Sequence, residues 1–391
     1  MVAGSDVGGG WVDALVACDP LVPSDPVRVG PYRIHARLGS GGMGRVYLGT
    51  SAAAEQVAVK VIKSELVSDP VIRERFAAEV ENLRMVYGSR VARFEGAGLD
   101  DEPPWCAVEY VPGQTLRQYV DLRGPLEPPL AAILGAALVE GLVKIHEVGL
   151  LHRDLKPQNI LLGPDGPKVI DFGLALLADR SRDLTEPGAV IGTVAYMSPE
   201  QARGERELTP AADVYALGAT LVAATTGHPP YRGVGGPALL WHIGDPNHHP
   251  DLSAVPAALT SVLGAMVAFE ASARPSLDVA LERLLAVATA GGLTRSGMRR
   301  RLVERTHGPV VEGSAIILPD VDDRVVDPVV DPDMTRDAVP PRDAVPPRDV
   351  PSPGPRVGPR VGPATSRARA SVSVEWLVAR LRAEYAGDAA F

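Results

Sequence analysis

Between residues 150 and 173 the chain gathers two carboxylates, Asp154 and Asp171, the amide of Asn159 and the cation of Lys156, set on either side of the apolar runs Ile160-Leu161-Leu162 and Val169-Ile170. These are the groups phosphoryl transfer requires: one to orient a hydroxyl, oxygen ligands for a hard divalent cation, and positive charge for the moving phosphate. A polar, solvated hairpin loop would show the same residue types, so the assignment depends on what the rest of the chain supplies.

Three elements would have to position that stretch. Residues 32–38 read as a strand that enters Gly39-Ser40-Gly41-Gly42-Met43-Gly44 and leaves through Arg45-Val46-Tyr47-Leu48, a strand–turn–strand hairpin. Glycine has no Cβ, so such a loop lets backbone N–H groups come close to phosphate oxygens. Alone, the spacing also fits a dinucleotide fold, where the glycines open a helix, or a merely flexible hairpin. Next, Gln56-Val57-Ala58-Val59-Lys60-Val61-Ile62 reads as a buried strand holding one cation, which needs a carboxylate or phosphate beside it. The helix expected after Asp69-Pro70 offers Glu79 on the inward face marked by Ile72, Phe76, Val80, Leu83 and Tyr87, with Glu74 and Glu81 turned to solvent.

Residues 105–111 then read as the last strand of a small sheet, ended by Pro112-Gly113, and helical periods dominate from Thr115 on. Leu134, Leu138, Leu142 and Ile145 make an apolar stripe on a helix over residues 130–148, read as core, with His146 an ordinary packed or surface histidine.

The chain of 391 residues has room for two or three domains, and a net charge of −9 argues against nucleic acid as the main partner. Cys18 and Cys106 give neither a disulfide framework nor zinc spacing, which suits a cytoplasmic setting. The first twenty residues lack the basic region of a signal peptide, and no stretch is expected to reach the roughly 18–20 apolar residues of a membrane span.

Taken in order, Gly39-x-Gly41-x-x-Gly44-x-Val46, Val57-Ala58-Val59-Lys60, Glu79, His152-Arg153-Asp154-Leu155-Lys156-Pro157-Gln158-Asn159, Asp171-Phe172-Gly173 and Ser198-Pro199-Glu200 resemble the protein kinase family, specifically the bacterial Ser/Thr kinases of eukaryotic type common in actinomycetes. The resemblance covers residues 32–285. It implies an α+β, two-lobed fold: a small antiparallel sheet with one helix over a mainly helical lobe. It also implies ATP between the lobes and Mg²⁺, or Mn²⁺, as the metal.

Carried over residue by residue, Leu38, Gly39, Ser40, Gly41, Gly42, Met43, Gly44, Arg45 and Val46 would roof the nucleotide and Ala58 would line the adenine pocket. Val108 would be the gatekeeper, and backbone groups of Glu109 and Val111 in the hinge would read the adenine edge. Lys60, held by Glu79, would bind the α and β phosphates. Asn159 and Asp171 would ligate metal, and Asp154 would take the proton of the acceptor hydroxyl. Lys156, two residues after Asp154, marks Ser/Thr specificity in the family, and Thr193 would bond both. Arg153 would pair with a phosphate on the activation loop, residues 174–191, where Thr185 is the expected autophosphorylation site; Pro187 stands where relatives often carry a second threonine. Glu200 would pair with Arg274, and Asp213 would brace the backbone of His152 and Arg153.

The expected organisation is an irregular lead (1–31), N-lobe (32–111), C-lobe (112–287), a basic connector (288–318), a Pro/Asp/Arg-rich disordered linker (319–370) and a short amphipathic helix (371–391). That helix, carrying Val374, Leu377, Val378, Leu381 and Tyr385, would dock on its own kinase domain, a substrate or a partner, or stay without one. Protein substrates with Ser or Thr acceptors are expected. The rival functions are a pseudokinase scaffold, which would lack Lys60, Asp154 or Asp171, and a small-molecule phosphotransferase, which would lack the activation segment.

Overall fold

Alternating apolar residues build the smaller lobe. The computed structural model describes residues 18–41, 44–63, 66–67, 69–171, 194–205, 207–234 and 237–307. Strands β1 (Arg28–Val29), β2 (Tyr32–Ser40), β3 (Gly44–Thr50), β4 (Gln56–Ile62), β5 (Phe94–Gly98) and β6 (Trp105–Glu109) form one antiparallel sheet in the order β1-β2-β3-β4-β6-β5. The two-residue period puts Val57, Val59 and Val61 on one face, where they pack with Tyr32, Ile34, Tyr47, Trp105 and Ala107. Ala58, Lys60 and Ile62 fall on the other. Helix α1 (Pro70–Met85) packs on that second face through Phe76, Val80 and Leu83, with Ile62 and Cys106 in the same cluster. Its start is set by Pro70 in the first turn and by Asp69, whose carboxylate accepts from the N–H of Val71.

The larger lobe follows from helical periodicity. It comprises α2 (Leu116–Arg123), α3 (Pro128–Glu147), α4 (Pro199–Ala202), α5 (Pro210–Thr226), α6 (Pro237–Gly244), α7 (Ala257–Met266), α8 (Leu277–Thr289) and α9 (Arg295–His307). Leu134, Leu138, Leu142 and Ile145 of α3 are all 0% exposed, and burying each such side chain contributes about 1.5–3 kcal/mol. A small sheet of β7 (Gln114–Thr115), β8 (Ile160–Gly163) and β9 (Gly166–Val169) lies in this lobe, and the β8–β9 hairpin separates Asp154, Lys156 and Asn159, before it, from Asp171, after it.

Several expectations change. Part of the lead read as irregular is ordered: β1 pairs with β2, and Asp19 forms an isolated bridge with Arg37. Tyr87 falls beyond the end of α1 and is 73% exposed, because the chain turns extended at Val86. The basic connector contains the docked helix α9, whose Met298, Leu302 and Thr306, four residues apart, are buried. Helix α3 is long and apolar enough to cross a bilayer by length and composition, contrary to expectation; most of it is buried inside the lobe, as a central core helix must be. The linker and the amphipathic helix beyond residue 307 lie outside the described residues.

Candidate active site

The face of the sheet that carries Lys60 is a row of cross-strand partners: Val46 opposite Lys60, Lys60 opposite Cys106, and Ala58 opposite Val108. Val46, Ala58 and Val108 are half-buried, which suits an apolar floor for a flat ring. Leu38 is half-buried near the end of β2, and Ser40 and Arg45 pair across the mouth of the glycine turn. The turn is closed by a hydrogen bond from the N–H of Gly41 to the carbonyl of Gly44, 2.9 Å. A Cβ on Gly44 would lie 2.4 Å from the carbonyl oxygen of Val61, so the packing of β4 itself demands glycine there. A Cβ on Gly39 or Gly41 would meet nothing within 4 Å. These two glycines therefore leave open space beside the turn, as a phosphate cradle requires. Gly42 and Met43 lie outside the described residues.

Lys60 Nζ donates to Glu79 Oε1 at 2.8 Å and lies 3.7 Å from Asp171 Oδ1. Burial penalises the ammonium charge, but Asp171 and Glu79 together outweigh it and hold the pKa of Lys60 above its usual value. Burial pushes the carboxyl of Glu79 upward, with Lys60 opposing, and Glu79 Oε2 is buried without a hydrogen-bond partner among the described residues. A buried cation with two carboxylates on it is stable only with close partners. It presents charge to an incoming anion where Asp171, 43% exposed, opens to solvent.

Across the cleft, Lys156 Nζ donates to Asp154 Oδ2 at 2.8 Å. Asn159 Nδ2 donates to the carbonyl of Asp154 at 2.9 Å and to its Oδ2 at 3.1 Å. The amide nitrogen is thus turned to Asp154, which leaves the amide oxygen as the group able to meet a cation. The N–H of Ile170 donates to the carbonyl of Asn159 at 2.9 Å, and this link sets Asn159 beside Asp171. An amide oxygen next to a carboxylate, with no thiolate or imidazole among them, fits the hard-oxygen preference of Mg²⁺. Asn159 and Asp171 would hold it.

Asp213 fixes this loop from below. Its carboxylate is 0% exposed and accepts the N–H of His152 on Oδ2 and of Arg153 on Oδ1, both at 2.8 Å, while His146 Nε2 lies 2.7 Å from Oδ2. Burial alone would raise the Asp213 carboxyl; the His146 ring and the two backbone donors outweigh it and hold the group below the usual range. Arg153 sits at φ 64° and Asp171 at φ 52°, left-handed conformations that cost a non-glycine residue energy and need such anchors. Gln201 of α4 completes the grip by donating to the carbonyl of Arg153 at 2.8 Å. Arg274 closes the segment below α4 with bonds of 2.7 and 2.8 Å to Glu200.

The sequence reading missed three of these contributions. His146 is a member of the scaffold, and its position in the last turn of α3, six residues before His152, is the signal available. Gln201 also serves the capping box of Ser198, which hid its second duty. At the hinge, the N–H of Glu109 is spent on the carbonyl of Arg93 at 2.7 Å, and the side chain pairs with Lys168. Of the backbone groups of Glu109, only the carbonyl would then be left for the adenine edge expected there. Thr185, Thr193, Phe172 and Gly173 lie outside the described residues.

A two-lobed fold with a cation held under a glycine turn and a carboxylate–lysine pair opposite defines the class, and the comparisons agree. Residues 32–285 match the protein kinase domain, and the chain belongs to the protein kinase family, with the bacterial eukaryotic-like Ser/Thr kinases. It is 51% identical over 213 residues to a probable serine/threonine-protein kinase PkwA of Thermomonospora curvata, covering 54% of this chain and 28% of that protein. It is 42% identical over 258 residues to the serine/threonine-protein kinase AfsK of Streptomyces coelicolor, covering 66% of this chain and 32% of that protein. The match thus spans about a third of the length of these relatives. Among solved structures, the PknI kinase domain of Mycobacterium tuberculosis superposes with a TM-score of 0.53 at 26% identity, covering 68% of this chain and 97% of that one.

Proposed function

We propose that the protein transfers the γ-phosphate of ATP to serine or threonine hydroxyls of proteins. The observation that carries this reading is the pairing of Asp154 with Lys156 at 2.8 Å, on a loop where Asn159 is bonded through its carbonyl to Ile170, the residue before Asp171. In the reaction the acceptor oxygen attacks the γ-phosphorus, the bond from that phosphorus to the β–γ bridging oxygen breaks, and ADP leaves. Asp154 orients the hydroxyl and receives its proton. Lys156 places positive charge against the transferred group, and Lys60, kept charged by Glu79 and Asp171, holds the nucleotide phosphates. Mg²⁺, when bound at Asn159 and Asp171, neutralises phosphate charge. Ser/Thr specificity is supported by Lys156 and by the relatives. Lys60, Asp154 and Asp171 are all present, which disfavours a scaffold without chemistry.

Regulation belongs to the same reading. Arg153 Nε is buried and finds no hydrogen-bond partner among the described residues, which suits capture of a phosphate carried by Thr185. The unpaired thiols Cys18 and Cys106 fit work in a reducing cytoplasm. Incubation with labelled ATP and Mg²⁺ tests the reading. Phosphate should appear on serine or threonine of the protein itself or of a generic protein substrate, and Asp154→Asn should abolish it. Equal labelling by the unmutated protein and the variant refutes the function, and absence of phosphate on Thr185 refutes the switch.

A further inference from the structure

The segment before residue 32 lies outside the matched domain, and the chemistry above makes no use of it. Within it, the side chain of Asp25 is 0% exposed. Its carboxylate accepts from Arg37 Nε at 2.6 Å and Nη2 at 2.8 Å, from the hydroxyl of Tyr47 at 2.9 Å and from the N–H of Val22 at 2.8 Å. Arg45 Nη1 lies 3.7 Å away. Arg37 stands on β2 just before Gly39, Arg45 and Tyr47 stand on β3 just after Gly44, and Arg37 and Tyr47 face each other across the ladder. Both stems of the glycine turn therefore converge on one buried carboxylate. Asp19 adds two backbone bonds to Arg37, 2.9 and 2.8 Å.

The turn needs such an anchor. Gly39 and Gly41 have no side chain through which to pack, and the β2–β3 ladder slips register between Arg37 and Gly39 before pairing resumes at Gly39–Val46 and Ser40–Arg45, so the turn springs from an irregularity just beyond Arg37. Position must come from what holds the stems. We propose that Asp25 is a positioning residue for the stems of the glycine turn, fixing where backbone N–H groups of Gly39, Ser40, Gly41 and Gly44 meet the phosphates of ATP. The inference rests on the kinase reading above. The Arg37 guanidinium, with burial opposing, holds the Asp25 carboxyl down at about 2, so the anchor is charged throughout the working range. Because Ala58 and Val108 of the adenine floor lie on β4 and β6, and only Val46 shares an anchored stem, loss of Asp25 should act on the phosphates far more than on the base.

The test uses the full chain and calorimetric titration with a non-hydrolysable ATP analogue and, separately, adenosine. Asp25→Asn should weaken the analogue about tenfold, as expected when a charge-assisted anchor is lost, and change adenosine by less than about twofold. Tyr47→Phe keeps the buried ring, removes one bond, and should weaken the analogue by about two- to fivefold. The KM for ATP should rise with kcat less affected. The proposal is overturned if Asp25→Asn weakens both ligands alike, as general damage to the lobe would, or weakens neither. It is equally overturned if the analogue binds more tightly, as the uncovered guanidiniums alone would cause. Should Asp25→Asn fail to fold, the ratio of analogue to adenosine affinity in Tyr47→Phe decides. An unmutated protein that binds neither ligand overturns the kinase reading itself, a result seen before any variant is made.

Discussion

Replacing Arg274 with methionine removes a guanidinium that is 0% exposed on its side chain. It leaves the Glu200 carboxylate, 6% exposed, without its two partners at 2.7 and 2.8 Å. The carbonyls of Ala268, Ala211 and Phe269, bonded at 2.8, 2.9 and 2.9 Å, lose their donor too, and the face of Tyr215 loses a cation at 5.0 Å. Breaking a buried pair by removing one member costs about 3–5 kcal/mol, and the stranded carbonyls place this case at the upper end, about 5 kcal/mol. For a domain of this size that lowers the melting temperature by about 10–20 °C. Urea unfolding at pH 7 measures it. Arg274→Met combined with Glu200→Leu should regain much of the loss, because no charge is then left buried. There is also a pH signature. Burial raises the Glu200 carboxyl but the bonds from Arg274 outweigh it and hold the folded pKa low, so the pair's contribution is present above the unfolded carboxylate value of about 4.3 and is lost as pH falls through the folded one. In Arg274→Met the same carboxyl titrates upward, and the gap between variant and unmutated protein should narrow in acid. A loss below about 1 kcal/mol at pH 7, or a double variant no more stable than the single one, refutes the reasoning.

Leu302→Ala, in the middle of α9 and 2% exposed, should cost about 2–4 kcal/mol in urea unfolding, whereas a helix merely lying on the surface would lose almost nothing. Burial depresses the folded pKa of His152 below that of the unfolded chain, so the unfolded state binds the extra proton and stability should fall as pH drops below about 6.5; a stability curve flat from pH 8 to 5 contradicts this.

The reacting groups were legible because they lie within one short stretch and on helices and strands of clear period. Lys60 in an apolar strand called for a carboxylate, and the spacing of α1 delivered Glu79. What the sequence hid has physical reasons. Strand β5, Phe-Glu-Gly-Ala-Gly, has no alternation to read, and its Gly98 exists because a Cβ would lie 2.4 Å from both Asp101 and Trp105. Helix α9 looks like a solvated basic face, since only three of its positions are buried and the arginines between them hide the period. Asp25 carries no local signal, for its partners stand 12 and 22 residues away and only the folded sheet brings them together.

The glycines of the turn differ in what would keep them. At Gly44 a methyl group would collide with the backbone of Val61, so any descendant that still folds must retain it. At Gly39 and Gly41 the surrounding space is open, and only the approach of a ligand forbids a side chain. In a lineage released from nucleotide chemistry, those two positions would drift to other residues first while Gly44 persisted. The pattern of glycines surviving in a distant copy would then tell a working enzyme from a relic of its fold.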